Sequence, residues 1–129
     1  MSATREIHTR TGRHWLGDDG IIGSVYLPGA EDTRDDAVEN VRAFETLASG
    51  RRTPILIDAR VVASLSREAR VHYASPESLR TVLAMAILVG SPVSRMIGNF
   101  FLTLNKPLVP IRLFTGEAEA RAWLRGFLP

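Results

Sequence analysis

The chain's clearest hydrophobic signal is the run from Pro54 to Ile57, four core-type positions that end abruptly in Asp58. A short continuous apolar run bounded by turn signals predicts a strand buried on both faces, as in a parallel sheet with helices above and below. Before it, residues 6–9 and 13–16 are short mixed runs, and Gly17, Asp18, Asp19 and Gly20 form a tight-turn composition, so an N-terminal hairpin is expected. Its second arm, residues 21–27, places Ile21, Val25 and Leu27 on one face, while Gly23 leaves a gap for a bulge or a neighbouring side chain. Thr33 is placed to cap a helix whose Val38, Val41, Phe44, Leu47 and Ala48 recur at helical spacing, with Gly50 as its stop.

Beyond the central strand, Ser64 and Ser66 supply a start for a helix over residues 67–74, which Ser75 and Pro76 end. Residues 79–89 read as a second buried strand. Ser91 then caps, and Pro92 begins, a helix with an apolar stripe of Val93, Met96, Ile97, Phe100, Phe101 and Leu104, ended by Asn105, Lys106 and Pro107. Residues 108–114 are a last strand, and Pro110 within it argues for an edge position because proline cannot donate to a central ladder. A final helix follows Thr115 and Gly116, with Ala118, Ala122, Trp123 and Phe127 turned to the core. The order strand, strand, helix, strand, helix, strand, helix, strand, helix predicts an α/β fold. It has a largely parallel five-stranded sheet, an N-terminal hairpin and flanking helices.

Composition narrows the function classes. With 129 residues and 45% hydrophobic content the chain can build one continuous core, so a single domain over 1–129 is expected. The absence of cysteine excludes disulfides, thiolate chemistry and Cys-type zinc sites. The 16 basic residues, all arginine except Lys106, are scattered among 14 acids for a net charge of +2; a nucleic-acid binder would gather them into a stripe, so none is expected. The first ten residues lack an apolar signal region, which makes the cytoplasm the default, and residues 82–89 are too short to span a bilayer.

No catalytic or cofactor signature stands out. His8, His14 and His72 have no metal-ligand spacing, and no phosphate-loop, dinucleotide or nucleophile-elbow motif occurs, so no metal or cofactor is expected. The acids Glu31, Asp32, Asp35, Asp36 and Glu39 read as helix-start electrostatics rather than a cation site. Two loop-to-helix junctions offer amides, a hydroxyl and a guanidinium to an anion. The first holds Ser64, Ser66 and Arg67 after Asp58; the second holds Gly90, Ser91 and Arg95. Phe100 and Phe101 point in adjacent directions, which leaves one for an apolar ligand or a partner surface such as a dimer contact.

Three stretches, PILIDAR with its serine-bearing loop, VGSPVSRMIGNFFLTLNKP and RLFTGEAEARAWL, resemble the SpoIIAA-like fold shared by STAS domains and small STAS/SEC14-like bacterial relatives. In anti-sigma-factor antagonists of that fold, a serine at the start of the helix after the corresponding strand is phosphorylated, and the charge releases a partner. The resemblance implies a non-enzymatic regulatory or protein-interaction module, homo-oligomeric, with Ser64 and Ser66 nearest the modified position. A small apolar ligand or lipid binder using Phe100 and Phe101 is the alternative.

Overall fold

The chain begins as an antiparallel meander of β1 (Glu6–His8), β2 (Gly12–Leu16) and β3 (Ile22–Tyr26). The computed structural model describes residues 5–103 and 108–129, so Leu104, Asn105, Lys106 and Pro107 lie outside the described residues. The main sheet has six strands, one more than the pattern predicts. The reason is a reversal within the first mixed run: the Thr9 amide donates to the Gly12 carbonyl at 2.9 Å, so residues 6–8 pair as a strand of their own.

Next come β4 (Glu31–Asp32), α1 (Arg34–Ala48), β5 (Thr53–Asp58), β6 (Ser64–Leu65), α2 (Arg67–Tyr73), β7 (Val82–Leu88), α3 (Pro92–Leu102), β8 (Ile111–Phe114) and α4 (Glu117–Arg125). The sheet order is β1-β2-β3-β5-β7-β8, and β3, β5, β7 and β8 are mutually parallel. β8 is the edge strand that Pro110 foretells, beginning one residue after it.

Because each crossover moves one place along the sheet with the same hand, α1, α2 and α3 fall on one face. There Val41, Phe44, Tyr73, Ile97 and Phe101 pack with Ile22, Ile55, Met85 and Ile87. The second face carries α4, whose Ala120 and Leu124 pack on Leu56, Ala84, Ala86 and Leu88. Ile55 and Leu56 thus enter opposite cores, as a strand buried on both faces requires. The final helix turns differently from its predicted face: Ala118 and Ala122 are exposed, and Trp123 and Phe127 are only half-buried. Alanines on β7 let α4 approach along Ala120 and Leu124, leaving Trp123 to stack at the border between Phe114 (5.7 Å) and Phe127 (5.0 Å).

The helix starts follow the sequence closely. Thr33 and Asp36 form a capping box on α1, as do Ser91 and Ser94 on α3, where Pro92 opens the first turn. α1 ends where Ser49 and Gly50 enter the left-handed region, at φ 54° and 83°.

Candidate functional site

β5 delivers its chain to the carboxyl rim of the parallel sheet, where α/β proteins commonly place their sites. The loop that follows is anchored. β6 pairs in parallel with β4, and the Ser66 amide donates to the Asp32 carbonyl at 3.0 Å, which ties the start of α2 to the segment before α1. Ser66 is the residue that caps α2: its hydroxyl accepts from the Ala69 amide at 3.1 Å. Ser64 is exposed on β6, and Arg67 is exposed at the first helical position. Arg67 lines an open groove of about 390 Å³ together with Arg34, Glu68, Val71 and His72.

Asp58 belongs to a different neighbourhood. It is forked onto Arg60 at 2.9 and 2.7 Å and accepts from the Arg60 amide at 3.1 Å. Burial opposes its ionisation, but these bonds outweigh burial and hold its carboxyl below the usual range. It lines a cleft with Arg13, Trp15 and α4's Glu117 and Arg121. Among the described residues no hydrogen bond joins it to Ser64 or Ser66.

At the second junction the amides of Gly90 and Ser91 donate to the Ser94 hydroxyl at 2.9 and 2.8 Å, so both are engaged within the cap. Arg95 lines a separate open groove with Asn99, Thr115 and Glu119. Phe101 is buried in the first core, and Phe100, half-buried, meets it edge-on at 5.3 Å. Over the Phe100 ring lies the Arg70 guanidinium, 5.1 Å from the centroid.

The largest departure from the sequence reading is a buried polar network beneath this rim. The Asp32 carboxylate accepts from the hydroxyls of Tyr73 (2.5 Å), Tyr26 (2.8 Å) and Thr11 (3.1 Å). Burial pushes its pKa up, and the three hydroxyls pull against that shift. Asn40, buried on α1, donates to Tyr73 (2.9 Å) and Thr11 (3.1 Å) and accepts from Thr9 (2.6 Å). His14 joins through Nε2 to Asn40 (3.0 Å) and through Nδ1 to Ser24 (2.8 Å). With Asn40 presenting its carbonyl oxygen, Nε2 carries the proton and Nδ1 accepts from Ser24. Burial lowers the His14 pKa to about 4, so the ring is neutral at pH 7. Asn40, Tyr26, Tyr73 and Ser24 wall one side of a cavity of about 30 Å³ whose other side includes Ile97 and Phe101. One signal of the network was present in the sequence: Asn40 lies on the α1 stripe between Ala37 and Phe44, where an apolar residue is the norm.

The helix-start acids hold no cluster suited to a metal ion among the described residues. Asp36 instead pairs with Arg10, whose Nε donates at 2.7 Å, and with the Thr33 amide, and this holds its carboxyl far below the usual range. No helix among the described residues is long and apolar enough to cross a membrane.

Residues 14–128 match the model of a family described as "Domain of unknown function (DUF7793)". Among solved structures, the chain is similar to an uncharacterized protein of the DUF3478 family with a SpoIIAA-like fold from Shewanella loihica PV-4. That match has 16% identity over 95% of this chain and 92% of that one, with a TM-score of 0.54. It is also similar to a protein of unknown function from Arthrobacter sp. FB24, at 30% identity over 92% of this chain and 96% of that one, with a TM-score of 0.36. The comparison with curated proteins finds no match. The fold is therefore SpoIIAA-like, a meander leading into parallel strands with four helices.

Proposed function

The chain belongs to the DUF7793 family, and from that premise we propose that it is a non-enzymatic regulatory or protein-interaction module acting through the rim at residues 64–67. The observation that carries this reading is the placement of Ser66. Its hydroxyl, half-buried, caps α2 beyond the carboxyl end of β5, and Arg34 and Arg67 line the groove beside that helix together with Glu68 and Glu77. A phosphate on Ser66 would sit at the start of α2 beside Arg67, a charge-assisted partner for it, and against Glu68 in the same first turn. Apolar side chains left in water around the same helices, Val61 at 49% exposure and Val71 at 57%, suit contact with another protein. The cavity behind Phe101 gives the ligand-binding alternative less support. Its volume of about 30 Å³ has room for roughly two waters, whereas ligand pockets span about 300–1,000 Å³.

The test is to incubate the purified protein with ATP and soluble extract of its native host, then map the tryptic peptide of residues 61–67 by mass spectrometry. The expected product carries phosphate on Ser66, and Ser66→Ala abolishes it. A peptide that stays unmodified, or phosphate confined to Ser64, removes the proposal that Ser66 is the switch.

A further inference from the structure

We infer that the chain pairs with a second copy of itself along β8, the two β8 strands running antiparallel about a two-fold axis at Leu113 and joining their sheets into one. The contact uses no residue of the rim at 64–67, so it stands apart from the role proposed for Ser66.

The two edges of the main sheet differ. β1 carries Glu6 and His8 on either side of Ile7, polar residues of the kind that discourage pairing at an edge. β8 reads Ile111, Arg112, Leu113, Phe114, and among the described residues no strand lies on its outer side. On its inner side the Val89 amide donates to the Phe114 carbonyl and the Met85 amide to the Pro110 carbonyl, both at 2.9 Å. Those bonds turn the backbone groups of Phe114 and, two residues earlier, Arg112 toward β7. Ile111 and Leu113 therefore direct their N–H and C=O groups outward, where another strand can take them.

The flank of that edge favours a second copy as the occupant. Leu113 packs under α3, where a Cβ on Gly98 would lie 2.7 Å from one of its methyls. Leu102, one turn beyond Gly98 on the same side of α3, is 49% exposed, and Leu108, just before β8, is 56% exposed. Because α3 returns the chain to the start of β8, both leucines lie at the amino end of this edge. At its carboxyl end is an open groove of about 380 Å³ with an apolar floor of Val89, Leu113 and Phe114 between Arg95 and Glu119. An antiparallel two-fold brings each end onto the other, so the exposed leucines of one copy meet the groove of the next, twice. A lone extended peptide would take the edge but leave the leucines in water. The strand is also compatible with itself in charge. With Leu113 opposite the partner's Leu113, Arg112 stands beside the partner's Phe114, and no like charges face each other directly. Arg112 already lies over the Phe114 ring of its own chain, 5.0 Å from the centroid, so this pairing repeats a contact that the side chains make.

The experiment is sedimentation equilibrium of the full chain, followed by NMR of a mixture of isotope-labelled and unlabelled chains. The expected mass is twice the 14.2 kDa of one chain. In the mixture, an intermolecular cross-peak should join the Hα of Arg112 to the Hα of the partner's Phe114, because those two residues form a closely spaced, non-hydrogen-bonded pair in this register. Leu102→Glu and Leu108→Glu replace exposed side chains, so each variant should keep a dispersed amide spectrum while its dimer dissociates about tenfold more readily or more. The inference is overturned if the chain stays at the mass of one copy at about 0.5 mM, a concentration that would reveal even weak pairing. A dimer without the cross-peak between the two β8 strands overturns it as well, since the contact then lies on another face. So does a dimer that neither glutamate substitution weakens.

Discussion

Two polar residues, Asn40 and Ser66, are both hydrogen-bonded, yet they carry very different shares of stability. The Asn40 side chain is buried and serves Thr9, His14, Thr11 and Tyr73 at once. Removing it leaves several of those groups without a partner in a site that water reaches poorly. Asn40→Ala is therefore expected to cost about 3 kcal/mol in urea denaturation, the range for stranded buried polar groups. Ser66 only caps a seven-residue helix at a partly open surface. Ser66→Ala should cost about 1 kcal/mol. If the two variants prove equally stable, the network is not the structural hub that its distances suggest. The contrast also separates the two positions: a change at Ser66 removes one helix cap, whereas a change at Asn40 opens a buried network.

Among the elements, β2 and β3 pack through a glycine. Trp15 and Gly23 are cross-strand partners, and a Cβ built on Gly23 would lie 2.4 Å from two atoms of the indole. The gap that Gly23 leaves in its strand is filled by a neighbouring side chain, one of the two uses its sequence position suggests. Gly23→Ala must push the ring away, at a cost of about 1–3 kcal/mol for overpacking. In a Trp123→Phe background the fluorescence of Trp15 should shift to the red as the ring gains solvent; an unchanged spectrum and stability would show that the strands absorb the methyl. Most elements were readable because each depends on its own residues. The run at Pro54–Ile57, the Ser91 and Pro92 start and the Pro110 edge signal are all local. The two-residue ladder of β4 and β6 was not readable, because four residues carry no periodicity. The same holds for the site. The cap at Ser66 was readable from local chemistry, whereas the Asp32 network joins Thr9 to Asn40 and Asp32 to Tyr73 across 31 and 41 positions, a pairing that only the fold creates.

For the molecule as a whole, the network makes stability depend on pH in a way that the sequence's net charge of +2 does not suggest. His14 has an ordinary pKa of 6.5 when unfolded and about 4 in the folded chain, so below pH 6.5 the unfolded state takes up a proton that the native state refuses. Its contribution is complete above pH 6.5 and is lost as pH falls toward 4, by about 3 kcal/mol over that window. Asp32 acts in the opposite direction. Its raised pKa means that the buried charge is a burden above the folded pKa and is relieved on protonation, which offsets part of the His14 loss at the acid end. Asp36 and Asp58, both lowered, keep their ion-pair contribution until pH drops through the normal carboxylate range, so neither accounts for a loss between pH 6.5 and 5. Urea melts across pH 5 to 7.5 should therefore show stability rising with pH and levelling off near 7. Asn40→Asp supplies the control, because a carboxylate beside Nε2 favours the imidazolium and raises the folded pKa of His14. In that variant the acid loss should shrink or reverse. If wild type and Asn40→Asp keep the same slope, the pH dependence originates outside the His14 cluster.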